Sequence, residues 1–444
     1  MNLIEQALAT ATDTRVFLVG QGTLKKIPAV FCKNFPSSTA FLVADGNTWA
    51  AAGKRVYDCL RADGVPCAEP LVLPAEPAPY ADVETMTRVR EALASAGDNA
   101  RAVAIGAGTI NDLCKRASEE LHRPYLCVPT AASVDGFASF GAPITDGGFK
   151  STWPCAAPLA IVADTDVLRA APAAMTASGY ADLAAKITGG ADWIIADILG
   201  FDPIRADVWE TTQLPLRGWI SDPCCLAEGD SEAMDDLFTG LAMTGFAMQT
   251  MHASRPASGA EHMVSHIWEM SHVTRADGTH PSHGEKVGIG TLAITALIER
   301  FFAEPFTVAD IDAAARAYPT WEEREAMLRS LFGEGVLLDG VLAACKAKHL
   351  APDALQVELA HIVDRWDKLS LRVRRQIIPF ATLRDMFRKA GCPTRPEDIG
   401  VAARSVPAAI MAAQLIRNRY GILDLAFETG RLPALATELA DIWD

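Results

Sequence analysis

The sequence has no C-x-x-C pair among its ten cysteines, and the one close pair, Cys224 and Cys225, is adjacent and poorly placed for an ordinary disulfide. A zinc ribbon and a disulfide scaffold are thereby excluded, and a reducing cytoplasm is the expected compartment. No apolar run reaches the roughly 18 residues of a membrane span. The opening "MNLIEQALATATDTR" lacks the basic stretch and apolar stretch of a secretory signal, so a soluble, untargeted chain is expected. Positive charge is also scarce: Lys plus Arg number 40 against 55 for Asp plus Glu, a net charge of −15. Such a surface repels nucleic acid and anionic lipid, so neither is an expected partner, and an anionic ligand needs a local basic pocket. Solenoid repeats and low-complexity runs are absent as well.

Half of the 444 residues are apolar, enough for two or three domains with sizeable cores. From residue 15 to about 168 short apolar runs alternate with helix-like segments such as "ETMTRVREALASAG". The runs "RVFLVG", "TAFLVAD", "CAEPLVL", "RAVAIG", "PYLCVP" and "LAIVAD" are strand candidates, and their alternation with helices predicts a parallel sheet. "LPAEPAPYAD" reads as a loop before a helix starting near Val83. Beyond about residue 170 strand signals almost vanish. Stretches such as "SEAMDDLFTGLAMTGFAMQTMH" and "VPAAIMAAQLIRNRYGILDLAFETG" have helical spacing. The expected architecture is an α/β, Rossmann-like N-terminal domain over 1–168, followed by an all-α C-terminal domain over 169–444.

The run "RAVAIG" leads directly into "AGTINDLCKRASEEL", which places Gly106 and Gly108 at a strand-to-helix turn. Glycines there let phosphate oxygens approach backbone N–H groups at a helix N-terminus, although such turns also use glycine for conformation alone. Asp45 ends the second strand, where a carboxylate can accept hydrogen bonds from ribose hydroxyls and repel a 2′-phosphate. No cation follows before Lys54, which favours NAD over NADP; the alternative is a turn residue beside Gly46. "VPTAASVDGFASFG" offers Thr130, Ser133, Asp135 and Ser139 just after a strand, where open α/β sheets place a ligand crevice.

Five of the nine histidines fall in "HMVSHIWEMSHVTRADGTHPSH". His262 and His266 are four apart in a segment with helical spacing, so both emerge on one face, and His283 opens another helix. A divalent metal with an open position commonly takes two imidazoles and a carboxylate, and Asp182 in "SGYADLAAK" is the best carboxylate candidate. His252, His272 and His280 read as bystanders. For a substrate phosphate, Lys186 lies one helical turn beyond Asp182, and Lys150 is a second candidate.

"GAGTINDL", "VPTAASVDGFASFGAPI", "GYADLAAK", "SGAEHMVSHIWEM" and "HGEKVGIG" together resemble the sn-glycerol-1-phosphate dehydrogenases, of the dehydroquinate synthase/iron-dependent alcohol dehydrogenase fold. "VGQGTLKKIP" and "IRNRYGILDLAFETGRL" extend the resemblance over nearly the whole chain. It implies metal ligation by Asp182, His262 and His283, with His266 a non-ligand histidine facing substrate and Asp135 close to it. It also implies dinucleotide contacts from Gly106, Gly108, Thr109, Asn111, Asp112, Thr130, Ser133 and Ser139. The implied reaction interconverts dihydroxyacetone phosphate and sn-glycerol 1-phosphate with NAD(P), and Asp45 makes NAD(H) the expected preference over NADP(H). The implied metal is zinc or nickel, with iron a further option, and the expected partners are a small phosphorylated three-carbon substrate and other copies of the chain in a homo-oligomer. Ala107 stands where many relatives carry a third glycine, which matters only if the position requires positive φ. Extra polar material surrounds 205–230.

The alternatives within the same fold are a glycerol or polyol dehydrogenase, distinguished by indifference to phosphate, and a dehydroquinate synthase-type cyclase. The aspartate at 182 counts against the cyclase. A non-catalytic nucleotide sensor would show no NADH turnover.

Overall fold

The structure is a computed structural model that describes residues 2–147 and 149–443, without the side chains of Phe149, Lys150 and Val336. The Lys150 side chain, a candidate phosphate ligand, therefore lies outside what the structure describes. The six expected strands form one sheet: β1 (Val16–Gly20), β2 (Thr39–Asp45), β3 (Leu71–Leu73), β4 (Ala100–Gly106), β5 (Leu126–Pro129) and, after a hairpin, β8 (Ala160–Asp164). The order is β1-β8-β5-β4-β2-β3, and every pairing is parallel. The inner strands β2, β4, β5 and β8 are buried on both faces, as parallel strands flanked by helices are, so they read as continuous apolar runs, while the edge strands β1 and β3 are only partly buried. Alternate residues Leu42, Ala44, Val103, Ile105, Leu126, Val128, Ala160 and Val162 share one core with Leu24, Ile27, Phe31, Val56 and Leu60.

β3 is shorter than the run that announced it, because Pro70 cannot donate to a ladder; only Cys67 bridges back to Ala40. The antiparallel hairpin of β6 (Ala142–Asp146) and β7 (Phe149–Trp153) was not among the expected strands. Its strands are five residues each, and only Ala142 and Ile144 of β6 are buried, so the alternation is too brief to read.

Among the described residues no strand follows Asp164. The segment 231–252 forms the helix Ser231–Met251, capped by Asp230. The 406–430 stretch is not one helix: Val406–Ala413 stops, the chain runs irregularly, and Ile422–Glu428 begins after Gly421. The longest helix, Pro352–Gln376, has proline in its first turn and buries Leu355, Leu359, Ile362, Trp366, Leu369 and Val373, one stripe at helical spacing.

The chain divides into two units that interleave in sequence. The first comprises Met1–Leu183, Asp207–Ala257 and Lys389–Gly391; the second comprises Ala184–Ala206, Ser258–Arg388 and Cys392–Asp444. The extra 205–230 material, with the helices Ala206–Trp219 and Pro223–Ala227, falls in the first unit apart from Arg205 and Ala206. No described helix is long and apolar enough to cross a membrane.

Candidate functional site

β2 and β4 are neighbours from which the chain moves in opposite directions across the sheet, to β3 on one side and to β5 and β8 on the other. Open α/β sheets bind ligands beyond the C-terminal ends of such a pair. Those ends are Asp45 and Gly106.

β4 passes through Gly106 and Ala107 into the helix Gly108–Glu120, whose N-terminus has no side-chain cap. Its first N–H groups are therefore left to be satisfied by something other than a capping side chain. A methyl on Gly106 would lie 2.5 Å from Ile110 Cβ, so glycine is required there by packing. Ala107 has φ −80°, so its methyl group is accommodated without left-handed backbone. Gly108 and Thr109 are half-buried in the first turn.

The next residues are held inside. Asn111, 1% exposed, accepts a hydrogen bond from Tyr125 Oη at 2.9 Å, and Asp112 lies 3.7 Å from Lys115 Nζ. Lys115 had no part in the sequence reading, yet its buried ammonium donates to the carbonyls of Gly136, Ser139 and Gly141 at 2.9–3.0 Å. It thereby shapes the loop carrying Asp135 and Ser139. Thr130 N donates to Gly106 O at 3.1 Å, and Thr130, Ser133 and Ser139 are largely buried. Asp45 caps the turn at 46–48, its Oδ1 accepting from Asn47 N at 2.8 Å and Thr48 N at 3.0 Å. The capping role weighed in the sequence is thus present, on a carboxylate that also ends a strand.

Asp182 lies on the helix Ala173–Ala184, which carries the chain from the first unit into the second. The helix approaches the 131–135 loop closely, since a methyl on Gly179 would fall 1.9 Å from Ala132 O. One turn on, Asp182 Oδ2 accepts the N–H of Asp135 at 2.9 Å. Lys186 begins the next helix, Lys186–Leu199, and is 1% exposed.

His262 and His266 lie on the helix Ala260–Met270, and His283 is the first residue of His283–Phe301, fixed by the reciprocal cap of Ser282 and Glu285. These helices meet closely because Gly290 faces Glu261 O, where a methyl would be 2.5 Å away. The rings of His262 and His283 come to 5.5 Å between centroids, with His266 6.4 and 6.3 Å from them.

Each imidazole has a carboxylate at Nδ1. Glu261, fully buried, takes His262 at 2.8 Å, Gly259 N at 2.6 Å and Thr188 Oγ1 at 3.0 Å. Glu269 takes His283 at 2.9 Å and His266 at 3.2 Å. Burial raises the Glu261 carboxyl, but the His262 and backbone hydrogen bonds outweigh it and leave the group below its ordinary value. Burial likewise opposes Glu269, and His283 with His266 holds it well below the carboxylate range. Burial pushes the His266 imidazole down to about 4 against the pull of Glu269, with Arg417 adding to the fall. Ionised carboxylates at Nδ1 keep the protons there and leave each Nε2 with a lone pair. Glu261 and Glu269 were missed in the sequence, although a carboxylate beside one histidine and three residues past another was a readable signal.

Among the described residues, Asp182, His262 and His283 each offer one ligand atom within 4.8 Å of the others; His266 is not in the group. Cation bonds of about 2.1 Å span such a triangle after small side-chain movements. The donors, two imidazoles backed by carboxylates and one carboxylate, fit a borderline divalent ion that retains open positions.

This fold class is that of the iron-containing alcohol dehydrogenases: the family model so described matches residues 18–172. A glycerol dehydrogenase from Schizosaccharomyces pombe superposes with a TM-score of 0.58 at 16% identity, over 98% of this chain and 91% of that one, a likeness of fold alone. The chain belongs to the glycerol-1-phosphate dehydrogenase family. A Bacillus subtilis (strain 168) protein named glycerol-1-phosphate dehydrogenase (NAD(P)+) is 32% identical over 70% of this chain and 82% of its own length. A Halalkalibacterium halodurans protein of the same name is 38% identical over 58% of this chain, and the match spans 64% of that relative's length.

Proposed function

We propose that this chain reduces dihydroxyacetone phosphate to sn-glycerol 1-phosphate with NADH, using one divalent ion, zinc or nickel, held by Asp182, His262 and His283. The observation that carries the metal reading is the convergence of these three donors, with a carboxylate behind each imidazole. The names of the relatives support the substrate. When bound, the cation supplies Lewis acidity to the ketone oxygen and the nicotinamide supplies the hydride.

The chain's own residues do the rest. Glu261 and Glu269 hold the His262 and His283 imidazoles by Nδ1, which would leave their Nε2 atoms to bind the cation, and the Asp135 N–H orients Asp182. Neutral His266, its Nδ1 proton directed to Glu269, passes at Nε2 a proton drawn from water to the substrate oxygen during reduction, and accepts the alcohol's proton in the reverse direction. Asp135 is placed close to the substrate, and Lys186 is assigned its phosphate. Gly106, Gly108 and Thr109 receive the pyrophosphate at the helix N-terminus, with Asn111, Asp112, Thr130, Ser133 and Ser139 around it and Asp45 at the adenosine ribose. The reading includes a cytoplasmic homo-oligomer.

The test is NADH oxidation with dihydroxyacetone phosphate, with metal content measured and the product resolved by chirality. Expected are sn-glycerol 1-phosphate and a kcat/KM higher for NADH than for NADPH. Equal turnover of unphosphorylated dihydroxyacetone would replace the reading with a polyol dehydrogenase, and a tenfold preference for NADPH would remove the role given to Asp45.

A further inference from the structure

Asp192 lies within the helix Lys186–Leu199 at 3% exposure, and its carboxylate serves two other segments of the second unit. Oδ2 accepts the N–H of Ala260 at 2.7 Å, and Oδ1 accepts the N–H of Ile422 at 2.7 Å. These are the first residues of the helices Ala260–Met270 and Ile422–Glu428. The residues at their N-cap positions, Gly259 and Gly421, have no side-chain oxygen to offer, so one carboxylate from a third helix does the capping for both.

Glycine at those positions is what lets the segments close on the carboxylate. A methyl on Gly259 would lie 2.6 Å from Asp192 Oδ2, and one on Gly421 2.7 Å from Cγ and 2.8 Å from each oxygen. A negative charge between two helix N-termini is favoured by both dipoles. The same junction is tied a second time, because Arg419 Nη1 donates to Ser258 O at 2.8 Å and to Ser258 Oγ at 3.1 Å.

Ala260 is two residues before His262, and the neighbouring Gly259 N–H is bound by Glu261, the carboxylate that orients His262. We propose that Asp192 is a positioning residue for the metal centre: by fixing where the histidine helix starts, it fixes where His262 Nε2 points. The proposal rests on the reading of Asp182, His262 and His283 as metal ligands.

The test is the dissociation constant for zinc, and then nickel, measured on the full chain by competition with a chromophoric chelator at a temperature where each variant is folded. Asp192→Asn keeps the size but puts an amide N–H₂ against one of the two N–H donors. Gly421→Ala pushes the same carboxylate from the Ile422 segment, leaving the histidine helix itself unaltered in sequence, and carries the test if Asp192→Asn does not fold. Thr320→Ala, which removes the cap of the helix Trp321–Phe332, is the control for stability alone. Both test variants should bind zinc about 10-fold more weakly, the lower end of the loss seen when groups behind metal ligands are changed. Thr320→Ala should lower the thermal midpoint and leave the affinity unchanged. Either folded test variant binding zinc within twofold of the unaltered chain overturns the proposal while leaving the metal reading intact. An unaltered chain that binds neither metal overturns both.

Discussion

At the histidines the orienting groups are side chains, with Glu261 behind His262 and Glu269 behind His266 and His283. At the 106–109 turn they are backbone: uncapped helix N–H groups reached past glycine, beside a loop whose carbonyls are gathered by Lys115. A region built from side chains fails when atoms are removed. A region built from close backbone approach fails when atoms are added. Asp182 combines both, being a side-chain donor whose helix is seated by Gly179.

The largest effect should therefore come from one added methyl group. Gly179→Ala places Cβ 1.9 Å from Ala132 O, and because that neighbour is backbone the helix itself must shift. A loss of about 3 kcal/mol, the upper part of the range for overpacking, is expected in denaturant unfolding, with activity falling further as Asp182 moves. A variant of unaltered midpoint and activity would show that the helix has slack.

Next is an atom-removing change that spares the metal. His266→Asn should keep metal content while lowering kcat by about 10²-fold, the scale for a general acid–base group. Metal loss in this variant would make His266 a ligand, and normal kcat per folded molecule would make it packing.

The smallest effect belongs to the turn. Gly106→Ala meets Ile110 Cβ at 2.5 Å, so the strand and the helix must part slightly. Expected are a stability loss of about 1–2 kcal/mol and a raised KM for NADH with little change in kcat. A kcat effect without a KM effect would place the turn away from the cofactor.

The same contrast explains what could be read in the sequence. The strands are short apolar runs between helix-like segments, so all six strands of the sheet were visible, and His262, His266 and His283 stood out as candidates by local density. The glycine turn was visible because backbone approach demands a residue type. The hairpin at 142–153 escaped because five-residue strands carry too little alternation. Lys115 escaped because lysine defaults to the surface, and only the folded loop reveals the carbonyls that surround it. Asp192 escaped because its role depends on which helix N-termini arrive beside it, and spacing does not encode that; Glu261 and Glu269 stand at readable spacings from His262 and His266, but only the fold brings His283 to Glu269. The irregular 414–421 stretch passed as helix because only Gly421 interrupts an otherwise helix-forming composition.

The most direct measurement of the central claim is metal stoichiometry by elemental analysis on the purified, reconstituted chain, alongside His262→Ala and His283→Ala with thermal midpoints recorded. The account predicts one divalent ion per unaltered chain and almost none in either variant, with activity lost in parallel and both variants still folded. Full occupancy in either folded variant would contradict the assignment of these histidines as ligands.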